Sequence, residues 1–273
     1  ALSSDGGDEL FGGYNRYRLA EGMWQRLELV PSIARRAAAG LLNAVPMAVV
    51  DHLAGLAPRG CMPSQPADKL RKFAGVIALD AEGIYRRLVS QCEDPGAIAP
   101  NHPEHPMLPW STGAIGAMPT FLDRMQLLDT MTYLPDDILQ KVDRASMAVG
   151  LEVRPPLLDH RVVEFAWRLP RRFKIRDGET KWLLRRVAEQ TVPKQLLERP
   201  KMGFGIPLAE WLRGPLRDWA EDMLDPARLG GGFIDIGAAR RLWVDHLTGR
   251  RNWAYALWTV LMFEAWRRRW ANL

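Results

Sequence analysis

The 273-residue sequence predicts a mainly α fold. Two observations carry that prediction. Apolar residues recur at intervals of three and four along most of the chain, and almost no segment alternates apolar with polar residues as a half-buried strand does. Proline and glycine clusters cut the periodic segments into lengths typical of globular helices. No internal repeat is present, and a single domain over 1–273 is expected.

Leu19, Met23, Trp24, Leu27 and Val30 mark one amphipathic helix over about 10–30, ended by Pro31. Ser32 is placed to cap a second helix, which closes near Pro46, and a third is expected over 48–56. Pro58, Gly60, Pro63 and Pro66 make 57–67 a loop, followed by helices over 67–79 and 81–91. The stretch 94–119, rich in proline and histidine, reads as a long surface connection. A helix over 121–133 follows. The next runs to 149, and its start at Leu134-Pro135-Asp136-Asp137 puts proline in the first turn and acids at the positive end of the helix dipole. Further helices are expected over 159–168, 180–190, 207–224, 237–247 and 251–270.

Composition narrows the function classes. At 47% hydrophobic and 25% charged, the chain has the profile of a globular protein with a substantial core. Its 37 basic and 32 acidic residues leave a mild excess of +5. The basic pairs and the triplet Arg267-Arg268-Arg269 are scattered and read as solvated helix faces, so no nucleic-acid partner is expected. Cys61 and Cys92 lack metal-ligand spacing and read as reduced, non-catalytic thiols. No apolar run reaches the roughly 18 residues that a bilayer requires. No secretion signal opens the chain, and a cytoplasmic location is expected. Because the sequence starts without methionine on a glycine-rich acidic segment, it is expected to be part of a longer protein.

Three segments hold residues suited to chemistry. Ser3-Ser4-Asp5-Gly6-Gly7-Asp8-Glu9-Leu10-Phe11-Gly12-Gly13-Tyr14 sets three carboxylates among four glycines. Glycine lets a backbone approach a ligand, and carboxylates beside phosphate suit Mg²⁺, so a magnesium–nucleotide loop and a solvated acidic turn are both open readings. In Pro200-Lys201-Met202-Gly203-Phe204-Gly205, a lysine with nearby backbone N–H groups could hold phosphate or pyrophosphate, or could simply form a turn. In the 133–147 segment, Asp137 and Lys141 lie one helical turn apart and can pair on the surface. Glu152-Val153-Arg154-Pro155 places charges among apolar and proline residues, where pairing is favoured.

In this order and spacing, Ser-x-Asp-Gly-Gly-Asp-Glu-Leu-Phe-Gly-Gly-Tyr, Tyr-Leu-Pro-Asp-Asp-Ile-Leu-x-Lys-Val-Asp-Arg-Ala-Ser-Met-Ala and Leu-Glu-Val-Arg-x-Pro-x-Leu-Asp resemble the glutamine-hydrolysing asparagine synthetase family. The resemblance runs from 2 to about 224. It implies the C-terminal, helix-rich portion of an α/β pyrophosphate-loop ATP pyrophosphatase domain, with the N-terminal glutaminase and the Ser-Gly-Gly-x-Asp-Ser loop lying upstream. The implied enzyme is a carbon–nitrogen ligase of asparagine biosynthesis. In such enzymes ATP activates the aspartate side chain as an acyl-adenylate, and glutamine-derived ammonia displaces AMP.

By the same resemblance, Asp5 is the general base toward ammonia, Asp8 a Mg²⁺ ligand, and Lys201 the cation that neutralises pyrophosphate and the reacting carboxylate. Ser3, Ser4, Gly6, Gly7, Asp137 and Lys141 would contact substrate or ATP, and Asp136-Asp137 falls where related β-lactam-forming enzymes place a supporting carboxylate. A homodimer is a further expectation, and the chain alone is expected to be inactive. Two departures stand out: Ser4 replaces the usual glycine, and Pro155 a more common β-branched residue. They keep open a family member that amidates or cyclises another carboxylate. A non-catalytic helical assembly module is the reading from a different class.

Overall fold

The computed structural model describes residues 1–46, 49–50, 66–92, 94–102, 113–197 and 205–271. These gather into two compact units, one formed by the described residues within 1–30, 80–88 and 106–202, the other by those within 31–79, 89–105 and 203–273. Both are built mainly of helices, as the periodicity predicts. No helix among the described residues is long and apolar enough to cross a membrane. The helix expected over 48–56 and most of the 57–67 loop lie outside the described residues.

In the first unit, the single helix expected over 10–30 is two. Gly7–Phe11 is a short helix, so the segment read as a glycine-rich loop is helical at its centre. It stops at Gly12, whose φ of +68° suits glycine, and the Gly13 N–H closes the turn on the Asp8 carbonyl at 2.8 Å. Asn15–Leu27 then starts anew. Phe121–Met131 is capped by Thr120, which accepts from the Asp123 N–H at 3.1 Å. The next helix opens as a π-helix over Leu134–Leu139 and continues as Gln140–Met147. Leu10, Phe11 and Ala166 form a buried cluster, covered by Leu158, Val162, Val163 and Trp167 of the His160–Arg168 helix and its approach.

A hairpin escaped the helical reading. Ile175–Arg176 pairs antiparallel with Glu179–Thr180. Its turn residues Asp177 and Gly178 have φ of +49° and +81°, the Asp-Gly chemistry that closes two-residue hairpins. In the same unit, Leu2 pairs with Arg154 in an isolated parallel bridge.

In the second unit, Leu212, Leu224, Trp243, Leu257 and Leu261 are fully buried where Ile236–Leu247 and Ala254–Trp270 pack with two shorter helices. The helix expected over 207–224 breaks into Leu208–Arg213 and Arg217–Met223. Pro215 has no N–H to continue the ladder, so the chain turns at Gly214. The expected surface connection 94–119 holds two short helices, Pro95–Ile98 and Ala114–Ala117, while 103–112 lie outside the described residues. The arginine triplet is not wholly a solvated face: Arg267 and Arg268 both clasp the buried Glu264 carboxylate at 2.8 Å.

Candidate active site

The acidic segment is anchored at its start by backbone pairing. Ser3 donates its N–H to the Arg154 carbonyl at 3.1 Å, and Arg154 donates to Ala1 at 2.9 Å. Two motifs widely separated in sequence are thus joined. The chain then turns sharply at Gly6, where φ is +85° and an added Cβ would lie 2.2 Å from Leu158 Cδ2. Only glycine fits that turn. Gly7 packs on Leu157.

Of the residues singled out here, Ser3 Oγ donates to Asp5 Oδ2 at 2.7 Å, which orients a half-buried carboxylate. Ser4 is exposed and supplies the carbonyl that receives the Gly7 N–H at 3.2 Å. Asp8, in the first turn of its helix, is paired with Lys181 at 3.0 Å, each side chain about a quarter exposed. Beneath the pair runs Gly13, where a Cβ would come within 2.1 Å of Asp8 Oδ1 and 2.2 Å of Lys181 Cε. Lys181 itself has φ of +53°, an uncommon conformation for a side-chain-bearing residue, and its N–H is tied to the Phe11 carbonyl at 3.2 Å.

Asp137 and Lys141 meet each other at 2.9 Å on the surface, as their one-turn spacing predicts. The hydrogen bond that Lys141 donates to the Asp137 carboxylate raises its ammonium above its usual range. Lys201 lies outside the described residues.

Behind the acidic segment is a polar layer that the sequence did not single out. Glu9 is buried and takes the Tyr14 hydroxyl at 2.5 Å. Burial pushes its carboxyl up, and the Tyr14 bond only partly offsets this. Burial, then Glu9, raises the Tyr14 hydroxyl well above its ordinary value. The Arg16 guanidinium donates to Asp129 Oδ2 from Nη2 at 2.7 Å and to the Tyr85 hydroxyl from Nε at 3.0 Å. Tyr17 and Tyr85 each donate to the same Asp129 oxygen at 2.6 Å. Burial works to lower the Arg16 guanidinium, but Tyr85 and Asp129 outweigh it and hold it above its usual range. Lys174 is buried too, bonded to Gln126 Oε1 at 3.2 Å, and burial lowers its ammonium.

The one signal that could have found Lys181 is the Asp-Gly hairpin turn just before it, which fixes where the lysine emerges. Arg16 and Asp129 carry no such signal, since each looks like an ordinary charge on a helix. Among the described residues, no group of three or more His, Cys, Asp or Glu is arranged to hold a metal ion.

Comparison with known proteins gives a consistent result. The family model described as asparagine synthase matches residues 1–268. The chain is 30% identical over 268 residues to asparagine synthetase [glutamine-hydrolyzing] 1 of Bacillus subtilis, covering 97% of this chain and 40% of that protein. It is 33% identical over 268 residues to a putative asparagine synthetase [glutamine-hydrolyzing] of Mycobacterium bovis, covering 97% and 38%. Against the asparagine synthetase [glutamine-hydrolyzing] of Bos taurus it is 31% identical over 153 residues, 50% of this chain and 26% of that one. The chain therefore spans about two fifths of the length of the first two relatives. No solved structure matches it.

Proposed function

Because the chain belongs to the asparagine synthase family, we propose that it forms the C-terminal part of a synthetase domain that amidates the aspartate side chain at the expense of ATP, with ammonia drawn from glutamine. The two compact units together make up that part, and the activity belongs to the longer protein. The isolated parallel bridge between Leu2 and Arg154 supports an α/β sheet completed by residues outside this sequence, because parallel strands occur in sheets covered on both faces.

The observation that carries the reading is the half-buried Asp8–Lys181 pair on the bare backbone of Gly13. Opposite charges on a glycine floor, with a strained lysine backbone, suit a site that receives a charged ligand at close range. Mg²⁺ would supply charge neutralisation at the ATP phosphates. It prefers water and phosphate oxygen with one or two carboxylates, so Asp8 as a single protein ligand fits it without a dedicated cage. Asp5, oriented by Ser3, is the proposed base that takes a proton from the attacking ammonia. Lys201 is the proposed cation for pyrophosphate and for the charge that grows on the reacting carboxylate. A cytoplasmic enzyme, acting as a homodimer, completes the proposal.

Pyrophosphate release by the protein expressed from its complete reading frame tests this. With ATP, Mg²⁺ and ammonia, release is expected to depend on aspartate and to match asparagine formed. Dependence on a different carboxylate would replace aspartate as the substrate. Absence of release with any carboxylate would support an assembly role instead.

A further inference from the structure

The Arg16 guanidinium is held by two hydrogen-bond acceptors and two aromatic rings. Asp129 and Tyr85 accept hydrogen bonds from it, and the rings of Tyr14 and Tyr133 pack against it on two adjoining sides, with centroids 3.9 Å and 4.5 Å from Cζ. The two rings also meet each other edge to face at 5.8 Å. Tyr14 closes the acidic segment, and its hydroxyl reaches Glu9, the neighbour of Asp8. Tyr133 immediately precedes the π-helix Leu134–Leu139 that carries Asp136 and Asp137. π-Helical turns inside helices are frequent at functional sites. The fork of hydrogen bonds fixes the plane of the guanidinium, and the two rings, one from the acidic segment and one from the start of the π-helix, both rest against it.

A buried charged cluster of this kind contributes little net stability, because desolvation offsets the attraction. Its product is geometry. We infer that Arg16 is a positioning residue, which sets the separation and tilt between the acidic turn holding Asp5 and Asp8 and the π-helix holding Asp136 and Asp137. The functional half of this inference rests on the synthetase reading. The geometric half does not.

Lysine at position 16 keeps the charge that Asp129 requires but has neither the planar faces nor the fork. In Arg16→Lys and in Tyr133→Leu, amide hydrogen exchange is expected to rise at Gly7–Phe11 and at Leu134–Leu139, while Ala254–Trp270 in the other unit keeps wild-type protection. Tyr133→Phe retains the ring and should behave as wild type. In the protein expressed from its complete reading frame, Arg16→Lys should lower kcat about 10- to 100-fold with KM for the carboxylate substrate nearly unchanged, as for a misplaced reacting group. The double variant with Tyr133→Leu should be little worse than either alone. Unchanged exchange in either segment overturns the inference whatever the activity. So does kcat within about threefold of wild type when that enzyme is active. If the unaltered protein releases no pyrophosphate, the synthetase reading falls and exchange alone decides the role of Arg16. Should Arg16→Lys fail to fold, Tyr133→Leu against Tyr133→Phe decides it.

Discussion

Asp8 and Lys181 meet at 3.0 Å over Gly13, a position whose backbone leaves no room for a methyl group while the pair is formed. Three parts of the chain therefore have to agree: the short helix with Asp8, the double glycine after it and the residue following the hairpin. In a double-mutant cycle with Asp8→Asn and Lys181→Met, the coupling in urea unfolding is expected to be about 1 kcal/mol, the scale for charges in contact and only partly screened. Additivity within about 0.3 kcal/mol would mean that the two side chains do not act together.

Gly6→Ala should destabilise the first unit by about 2 to 5 kcal/mol, the left-handed penalty plus the clash with Leu158. Gly22 is the control. It sits in the Asn15–Leu27 helix with nothing within 4 Å of an added Cβ, so Gly22→Ala should stabilise by about 0.5 to 1 kcal/mol. Equal effects of the two changes would contradict the strained turn.

His246 gives the second unit a dependence on pH. Its Nδ1 accepts the Trp253 N–H at 3.2 Å, and Nε2 faces the Ala209 carbonyl at 3.3 Å, an arrangement that needs the neutral ring. Burial, followed by the Arg213 charge, lowers its pKa below the ordinary 6.5. A depressed histidine binds fewer protons folded than unfolded. Its contribution is therefore complete above 6.5 and is lost as pH falls from 6.5 toward the folded value. Urea midpoints of the wild type should drop over that window more than those of His246→Gln. Parallel curves would exclude the histidine as the cause.

The proposed roles of Asp5 and Lys201 separate kinetically. Asp5→Asn should spare the exchange of labelled pyrophosphate into ATP without ammonia, yet slow the ammonia step. Lys201→Ala should lower kcat about 100-fold or more while KM for aspartate changes little. Loss of exchange in Asp5→Asn, or a pure KM effect in Lys201→Ala, would reverse these assignments.

Much of the helical architecture was legible because its determinants are local. The Asp137–Lys141 pair follows from one-turn spacing, and the helix expected over 237–247 is found as Ile236–Leu247. The errors were local too. Gly12-Gly13 and Gly214-Pro215 lie inside stretches with helical periodicity, yet the backbone turns at both, and Asp177-Gly178 is hairpin chemistry that the apolar periodicity does not show.

By itself, then, the sequence determined that the chain is mainly helical, that acids and glycines share one turn, and which family its ordered motifs resemble. Those properties rest on hydrogen bonds and periodicities that span a few residues. The tertiary structure alone decided that Asp8 faces Lys181, that Arg16 meets the Asp129 carboxylate 113 positions away, and that Ser3 is tied to Arg154. A charge on a helix surface carries no mark of its partner. Which one it meets is settled when apolar faces pack and the desolvated groups between them must be satisfied.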